Sequence, residues 1–489
     1  MFYLSDNNDF YSFVISALVN EASKENKSIY PEYAYEGKIM IDAFLPEGLS
    51  IFGSKYKKPY IIEIRSDITA DNEHLSLISP LRKTGFTGTL FYILKNGKSE
   101  KTISKHEFEV VSLGNRFLQR LYSRNKSAYL NYLLGLSDLS FLNEEGDDLY
   151  LSTISDDKDK DKQTIRLANS KDKLKIEKTE VDSLCAINEN DFKAYFNRDF
   201  GNNNCAIFVG NGASIPFGSD NWASLIRNLV DRLEPFHIEK REHVESALSN
   251  SSYALSSFVK SILLREESET KYIDALRFCI YRKYNDLMHN QKSLVKVIAS
   301  AKERYQFLPI LTYNYDTFIE RQYGMQTNKS LRFYSNDYVS HSIEDVAYKN
   351  VIHLHGYISY TENRSRGVIL TDEDYFNAYL NESSWVYRTQ IQVLRRYNCL
   401  FVGSSMSDLF QMSLIQKARD GDQDGKWNCF ALMCLKNLEF NEKMKIMKYY
   451  REKGIRIIFV DKFEDLPGKL ADLLGVKDLL DRPLPHFNH

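Results

Sequence analysis

Two short polar segments contain the side chains best suited to chemistry. Residues 312–316 read TYNYD and include Asn314, and residues 353–356 read HLHG and include His355. An imidazole with a pKa near neutrality can accept a proton, and an amide can orient water or a hydroxyl group without adding charge. We interpret His355, which borders a glycine, as a base and His353 as a core or supporting histidine. The alternative for Asn314 is an asparagine that caps a turn.

A third segment has the composition of a phosphate-binding turn. Residues 205–218 (CAIFVGNGASIPFG) begin as a buried β run, continue as a turn of small residues and precede an amphipathic helix at 222–233. Small residues let the backbone approach a ligand closely, and a helix that follows a strand can present N–H groups to a phosphate. The spacing is not G-x-G-x-x-G, so an ordinary tight turn is the alternative. The candidate binding residues here are Gly210, Asn211, Gly212, Ala213 and Ser214.

The elements that must position these segments alternate along residues 196–489. A mainly helical block at 222–304 is inserted after the glycine-rich turn. Strands separated by helices predict a doubly wound, parallel α/β sheet, in which ligands bind at the carboxyl ends of the strands. Apolar runs typical of strands lie at 205–209, 306–311, 351–356, 398–402, 430–433 and 455–460.

Taken in order, the polar segments resemble the sirtuin-like domain, in the divergent form found in prokaryotic antiviral defence proteins. The resemblance covers about residues 195–470 and includes 370–375 (LTDEDY), which comes just before a predicted helix. Each motif alone is weak, and their order along the chain carries the resemblance. The motifs are 210–214 (GNGAS), 312–316 (TYNYD), 353–356 (HLHG) and 403–408 (GSSMSD).

The resemblance implies a Rossmann-like domain that binds NAD as its substrate. Asn314 and Asp316 would lie beside the nicotinamide ribose, and His355 would act as the base. Breaking the bond between nicotinamide and ribose develops oxocarbenium character, as in glycoside hydrolysis. Residues 210–214 would line the pyrophosphate. The adenosine side would be formed by Gly403, Ser404 and Ser405.

The cysteine pattern distinguishes between sirtuin activities. Protein-deacylating sirtuins carry a zinc module built from four cysteines, whereas this sequence has six cysteines and no C-x-x-C pair. We therefore expect no zinc and favour an NAD hydrolase that releases nicotinamide and ADP-ribose, an effector of antiphage defence by NAD depletion. The alternatives are an NAD-dependent protein deacylase or ADP-ribosyl transferase, and a sensor that binds NAD or ADP-ribose without catalysis.

Residues 1–140 form a separate, smaller α/β unit in this interpretation. Glu21, Asp42 and the pair Glu63-x-Arg65 occur in an order that loosely resembles the PD-(D/E)-x-K endonuclease-like fold. In that family two strand-borne carboxylates hold magnesium and a lysine assists the attacking water. Arg65 stands where lysine is expected, so we favour an inactive sensor or docking domain without Mg²⁺. The alternative is a magnesium-dependent nuclease with Asp42 and Glu63 as metal ligands.

Charge and composition set the remaining expectations. Residues 141–195 form a mixed-charge linker with a possible hairpin at 164–167 and 173–176. A net charge of −2 provides no general attraction to nucleic acid, which we expect to matter only indirectly or through the first domain. No stretch is apolar enough to span a bilayer or act as a leader, so we expect a cytoplasmic protein. The resemblance also implies a homo-oligomer, or a companion ATPase or Argonaute-like defence protein, that controls the activity.

Overall fold

The computed structural model contains two compact units. The first is drawn from residues 1–202, 419–428 and 437–458, and the second from 203–418, 429–436 and 459–489. The structure describes residues 7–36, 39–65, 73–95, 97, 100–105, 108–125, 128, 162–166, 173–196, 205–232, 252–266, 269–285, 289, 291–334, 346–348, 350–360, 365–420, 429–436, 438 and 440–482.

A six-stranded mixed sheet dominates the first unit. Its elements are α1 (Asn7–Lys24), β1 (Tyr30–Tyr35), β2 (Ile39–Leu45), β3 (Tyr60–Arg65), α2 (Glu73–Lys83), β4 (Thr89–Leu94), β5 (Lys101–Lys105), β6 (Glu109–Leu113) and α3 (Asn115–Arg124). The strand order is β1-β2-β3-β4-β6-β5. β3 pairs in parallel with β4 and β4 with β6, and the other neighbours are antiparallel.

Helix α1 buries the apolar face that its periodicity predicts. Phe10, Val14 and Leu18 are almost fully inaccessible, and so is Glu21 on the same face. The Glu21 carboxylate pairs with Lys24 at 2.9 Å and with Arg124 at 2.7 Å. A buried carboxylate is tolerated only when it is paired. Glu21 therefore ties α1 to α3.

The charged segment that follows contains a hairpin and a helix. β7 (Lys162–Arg166) pairs with β8 (Lys173–Glu177) in an antiparallel register, and α4 (Lys178–Tyr195) continues directly from β8. Helix α4 buries Phe192 and the side chain of Asp191. Asp191 forms a buried ion pair with Arg456 at 2.5 Å. Both residues belong to the first unit. The helix was not expected, because the charge run gave no apolar period.

Beyond residue 204 strands and helices alternate as predicted. The elements are β9 (Cys205–Val209), α5 (Trp222–Asp231), α6 (Ser252–Glu266), α7 (Glu269–Tyr281), α8 (Leu294–Arg304), β10 (Ile310–Thr312), α9 (Phe318–Thr327), β11 (Arg332–Tyr334), β12 (Asn350–His353), β13 (Tyr357–Ile358), β14 (Ser365–Arg366), α10 (Asp372–Tyr379), α11 (Trp385–Arg396), β15 (Asn398–Val402), α12 (Leu409–Asp420), β16 (Cys429–Cys434), α13 (Phe440–Glu452), β17 (Ile455–Val460), α14 (Leu466–Leu474) and α15 (Lys477–Leu480).

Seven of these strands form one sheet, in the order β11-β12-β10-β9-β15-β16-β17. The neighbours from β11 to β16 are all parallel. β9, β10 and β15 are buried at every residue, which explains their continuous apolar sequence. The expectation of a mixed α/β protein with parallel sheet is confirmed.

Two strands near the candidate motifs are shorter than their apolar runs predict. β10 starts at Ile310, directly after Pro309, which cannot donate a ladder hydrogen bond. β12 ends at His353, because the chain turns at Gly356, whose φ is +77°. His353 and His355 therefore do not share a strand face. Within the described ranges, no helix is both long enough and apolar enough to cross a bilayer.

Candidate active site

The four central strands β12, β10, β9 and β15 end in register. Thr312 pairs with His353 on one side and with Val209 on the other, and Val209 pairs with Val402. Parallel strands present their carboxyl ends at one edge of a sheet. The segments that leave this edge side by side are 210–214, 313–316, 354–356 and 403–408.

Glycines allow two of these segments to touch each other. A Cβ on Gly210 would lie 2.6 Å from the carbonyl oxygen of Gly403, and a Cβ on Gly212 would lie 2.8 Å from the same atom. Gly210 donates its N–H to Val402 at 2.9 Å, and Gly212 donates to Gly403 at 2.8 Å. Gly403 itself has a φ of +64°. These glycines therefore allow the 210–214 and 403–408 loops to contact each other closely, before any contact with a ligand is considered.

The rest of the glycine-rich turn is braced internally. The N–H of Ala213 donates to Gly210 at 3.1 Å, and that of Ser214 donates to Asn211 at 2.9 Å. The side-chain amide of Asn211 donates to the carbonyl oxygen of Asp220 at 2.8 Å. These contacts hold the turn in one conformation before any ligand arrives.

Asn314 is held at three of its four polar groups. Its N–H donates to Thr312 Oγ1 at 3.0 Å, and its side-chain Nδ2 donates to Gly210 O at 3.1 Å and Ser214 Oγ at 2.8 Å. Its carbonyl oxygen accepts a bond from His353. The residue is 6% exposed, yet Oδ1 has no hydrogen-bond partner among the residues that the structure describes. Since Gly210 O can only accept, Nδ2 is the amide atom on that side.

Asp316 lies two residues further on and is also buried. Its carboxylate accepts a hydrogen bond from the N–H of Phe318 at 3.2 Å and another from the Ser214 hydroxyl. Burial raises the pKa of Asp316 to about 6, although these bonds and the charge of His353 oppose the shift. Ser214 therefore connects the Asn314 amide to a carboxyl group that titrates close to neutrality.

His355 sits in an aromatic enclosure. Its ring centroid lies 5.2 Å from that of Tyr313, 5.2 Å from Tyr375 and 5.8 Å from Tyr379, and Nε2 is 2.5 Å from the Tyr379 hydroxyl. The residue is 4% exposed, and burial lowers the pKa of its imidazole to about 3. His355 is therefore a neutral imidazole throughout the physiological range. Tyr313, one of the flanking rings, directly precedes Asn314 in the chain.

Sequence reasoning missed the residues that support His355. Tyr379 hydrogen-bonds to the Gln390 side chain, which also accepts from the Tyr313 hydroxyl at 2.9 Å. Tyr375 and Tyr379 stack on each other with centroids 5.6 Å apart, as expected for positions i and i+4 of one helix. Tyr375 ends the 370–375 motif and Tyr379 follows one helical turn later, and this spacing was the available signal. Gln390, on α11, carried none.

Residues 309–458 match the SIR2-like domain. This family match contains Asn314, Asp316, His355 and the 403–408 loop, but not the glycine-rich turn. A search of curated proteins found no match to the chain. The SIR2-like segment supports the sirtuin-like resemblance and an NAD-related function.

Within the SIR2-like segment, the 403–408 loop is partly open to solvent. The Ser404 hydroxyl accepts from the N–H of Met406 at 3.1 Å, and Ser405 is exposed beside Ser407 at 2.6 Å. Asp408 caps helix α12 by accepting from the N–H of Phe410 at 2.8 Å. Ser405 thus offers a surface hydroxyl next to the glycine contact.

The N-terminal metal candidates lie outside the SIR2-like segment and are bound to an arginine. Asp42 and Glu63 are buried, and the two ends of the Arg65 guanidinium bond them, Asp42 at 3.0 Å and Glu63 at a shorter distance. Asp42 Oδ2 also accepts from the N–H of Ile64 at 2.7 Å. Over the described ranges, no cluster of three or more His, Cys, Asp or Glu side chains is arranged to hold a metal. The guanidinium supplies the positive charge that a cation would bring.

Proposed function

We propose that the protein is an NAD hydrolase, which splits NAD into nicotinamide and ADP-ribose in a Rossmann-like domain. The observation that carries the proposal is the buried Oδ1 of Asn314 at the carboxyl edge of the sheet, which has no hydrogen-bond partner within the described part of the chain. Leaving a buried acceptor unsatisfied costs about 1–3 kcal/mol, so a bound ligand that donates to it gains that energy. The match to the SIR2-like domain makes NAD the first ligand to test.

The chemistry divides between Asn314, His355 and Asp316. Asn314 Oδ1 would accept a hydrogen bond from a ribose hydroxyl or from the attacking water and hold it in place. His355 remains unprotonated, because burial keeps its pKa low, so it can accept a hydrogen bond from this hydroxyl or water. To act as the base it must also take the proton, for which a pKa nearer neutrality in the complex with substrate is required. Asp316, when ionised, places negative charge beside the ribose as positive charge develops there.

The glycine-rich turn and the 403–408 loop would bind the rest of the dinucleotide. The two loops contact each other and would form the surface on which the pyrophosphate lies. Gly210, Gly212 and Gly403 have no Cβ atoms, which allows this close contact. Ser404 and Ser405 would face the adenosine. Because the N–H groups of Gly210, Gly212, Ala213 and Ser214 are already engaged, we expect pyrophosphate contacts from the remaining groups of the turn.

The decisive experiment follows nicotinamide release from NAD by the purified full chain, alone and with candidate partner proteins or phage nucleic acid. Asn314→Ala should reduce release by about 100-fold or more, since one orienting group of an active site is worth that much. Asn228→Ala, at a half-buried asparagine of α5, is the matched control and should retain the wild-type rate. The proposal would be refuted if the protein neither bound NAD nor released nicotinamide under any of these conditions.

Other outcomes would favour the alternative functions. Release of nicotinamide only when a protein acceptor is present would indicate a deacylase or ADP-ribosyl transferase. NAD binding that survives with every activity unchanged in Asn314→Ala and His355→Ala would indicate a sensor. A dependence of the rate on protein concentration, or on an added ATPase or Argonaute-like protein, would support control by an oligomer or partner.

We also propose that the first unit recognises or docks and does not cut DNA. The support is the pairing of Asp42 and Glu63 with Arg65, which supplies the charge that a metal ion would otherwise bring. The mixed sheet, with its helix-connected parallel strands, is compatible with the endonuclease-like fold. Magnesium-dependent cleavage of DNA that persists in His355→Ala and disappears in Asp42→Ala would overturn this assignment.

A further inference from the structure

His353 contacts the main chain of Asn314, whereas the glycine-rich turn contacts its side chain. His353 Nδ1 lies 3.1 Å from the main-chain oxygen of Asn314, and His353 Nε2 lies 2.7 Å from Glu320 Oε1. His353 is the last residue of β12, and Glu320 lies in the first turn of α9. Both side chains are buried. The histidine thus connects a strand, a helix and the loop that carries the proposed orienting amide.

The partners of His353 fix its protonation. A carbonyl oxygen can only accept, so Nδ1 carries a proton, and the Glu320 carboxylate beside Nε2 favours a second proton there. Burial by itself would lower the pKa of His353, but the Glu320 charge and the hydrogen bonds outweigh it and raise the pKa above its usual value. Other groups beside the ring include the Asp316 carboxyl and the ring of Tyr357, whose centroid lies 5.6 Å away.

Stability alone does not account for a buried ion pair at this place. Such a pair often contributes no more than well-packed apolar side chains of the same volume. Glu320 Oε2 has no hydrogen-bond partner among the described residues, which makes the arrangement less favourable still. What the pair achieves is local. His353 donates to the carbonyl oxygen of Asn314. With that bond, Oδ1 is the one polar group of Asn314 that has no partner among the described residues.

We propose that His353 and Glu320 are positioning residues that hold Asn314 with its Oδ1 toward the substrate. The inference rests on the proposed role of Asn314 in NAD cleavage. Glu320 keeps both nitrogens of His353 protonated, so that one N–H is always available to the Asn314 carbonyl. A neutral His353 has one N–H for two acceptors, and one of the two bonds fails.

Three variants test the proposal by kcat, KM and the pH profile of nicotinamide release. His353→Phe should lower kcat by about 100-fold with little change in KM, because a displacement of about 1 Å costs that much. His289→Phe is the matched control, since His289 is equally buried and bonds Gln322 and Tyr284 instead. It should retain the wild-type kcat. An unchanged kcat in folded His353→Phe would overturn the proposal.

Glu320→Gln separates charge from position. The glutamine amide can donate to the unprotonated Nε2 of a neutral His353, whose Nδ1–H still reaches Asn314. The wild-type kcat should fall as pH rises through the raised pKa of His353, and Glu320→Gln should keep a kcat within about 10-fold of wild type and lose that alkaline limb. An alkaline limb identical in the two proteins would contradict the proposed role of Glu320.

A spectroscopic measurement distinguishes this inference from the NAD hydrolase proposal. In the full chain with ¹⁵N-labelled histidine, one imidazole should keep protons on both nitrogens to a higher pH than an ordinary histidine does, and its signal should be absent from His353→Phe. A His353 that loses its second proton at or below the ordinary histidine pKa would overturn the inference even if nicotinamide is released. If His353 is doubly protonated but the protein never cleaves NAD, the NAD hydrolase proposal is refuted and the protonation of His353 is not.

Discussion

The two units each bury a cluster of polar groups at strands of a sheet, and the two clusters differ in charge. In the first unit, Arg65 bonds both Asp42 and Glu63, so opposite charges meet within the protein. In the second, Asn314 keeps a buried oxygen without a partner in the described structure, and His355 remains neutral. The first cluster thus balances its charges internally, whereas the second holds uncharged groups that can accept a hydrogen bond. This difference supports the proposed chemistry in the second unit.

We expect the largest effect on stability and activity from a substitution that separates the two loops beside Asn314. Gly210→Ala would push a Cβ to 2.6 Å from the Gly403 oxygen, a backbone atom that cannot swing aside. We expect a loss of about 3 kcal/mol in the free energy of unfolding and no NAD cleavage. Gly468→Ala is the control, because its Cβ meets nothing within 4 Å inside α14 and should stabilise slightly. Denaturant unfolding compares the two, and wild-type stability in Gly210→Ala would show that the loops can separate cheaply.

A smaller effect concerns the cost of keeping Asp316 charged. Its pKa in the folded protein, about 6, exceeds the usual value of 3.8. The folded state therefore binds the proton more tightly, and its stability falls as pH rises from about 4 to 6 and stays lower above. Asp316→Asn should raise the free energy of unfolding at pH 8 by up to about 3 kcal/mol, and much less at pH 4.

The same substitution should reduce nicotinamide release, since the carboxylate no longer opposes the developing positive charge. A gain in stability with a loss of activity would mark Asp316 as a residue kept for function. Equal stability of the two proteins at pH 8 would contradict the burial argument.

The corresponding change in the first unit removes the internal cation. Arg65→Ala leaves Asp42 and Glu63 without their guanidinium and should destabilise the protein by about 2 kcal/mol, a figure reduced because Arg65 is partly exposed. Millimolar Mn²⁺ should restore part of the loss, measured by thermal unfolding, and NAD cleavage should be unchanged. Arg116→Ala, at an exposed arginine of α3, should show neither effect. Recovery in the control as well would indicate a nonspecific action of the metal.

The smallest effect sharpens the description of His355. Tyr379→Phe keeps the aromatic enclosure and removes the hydroxyl bonded to Nε2. We expect kcat to fall by about 10-fold with KM unchanged, which corresponds to about 1.4 kcal/mol. Tyr387→Phe removes a surface hydroxyl that contacts Glu382 and should have no effect. A faster Tyr379→Phe enzyme would instead show that the hydroxyl restrains the base.

The sequence predicted the sheet and the neighbourhood of the motifs because both depend on local patterns. Parallel strands align their carboxyl ends, so Gly210, Asn314, His355 and Gly403 could be placed at one edge from chain order alone. The supporting partners could not be found in this way. Glu320, Tyr379 and Gln390 come from helices, and only the packing of those helices selects them.

Local signals were also misleading at two points. The run 351–356 looks like one strand, but the turn at Gly356 ends it at His353, so the two histidines face different partners. The glycines of the 205–218 segment suggested a close ligand, whereas the structure uses Gly210 and Gly212 to admit another loop. A glycine-rich sequence indicates that some group approaches the backbone closely, but it does not indicate whether that group belongs to a ligand or to another loop.

The pairing of β9 with β15 has a consequence for the order of synthesis. Ile207 lies opposite Leu400, and the first loop is completed only by a strand that the ribosome makes much later. Contacts so distant in the chain form late in folding. A nascent or prematurely terminated chain that lacks β15 has no partner for Gly210 on that side. Residues 210–214 can therefore take up their folded conformation only after residues 398–402 have been synthesised.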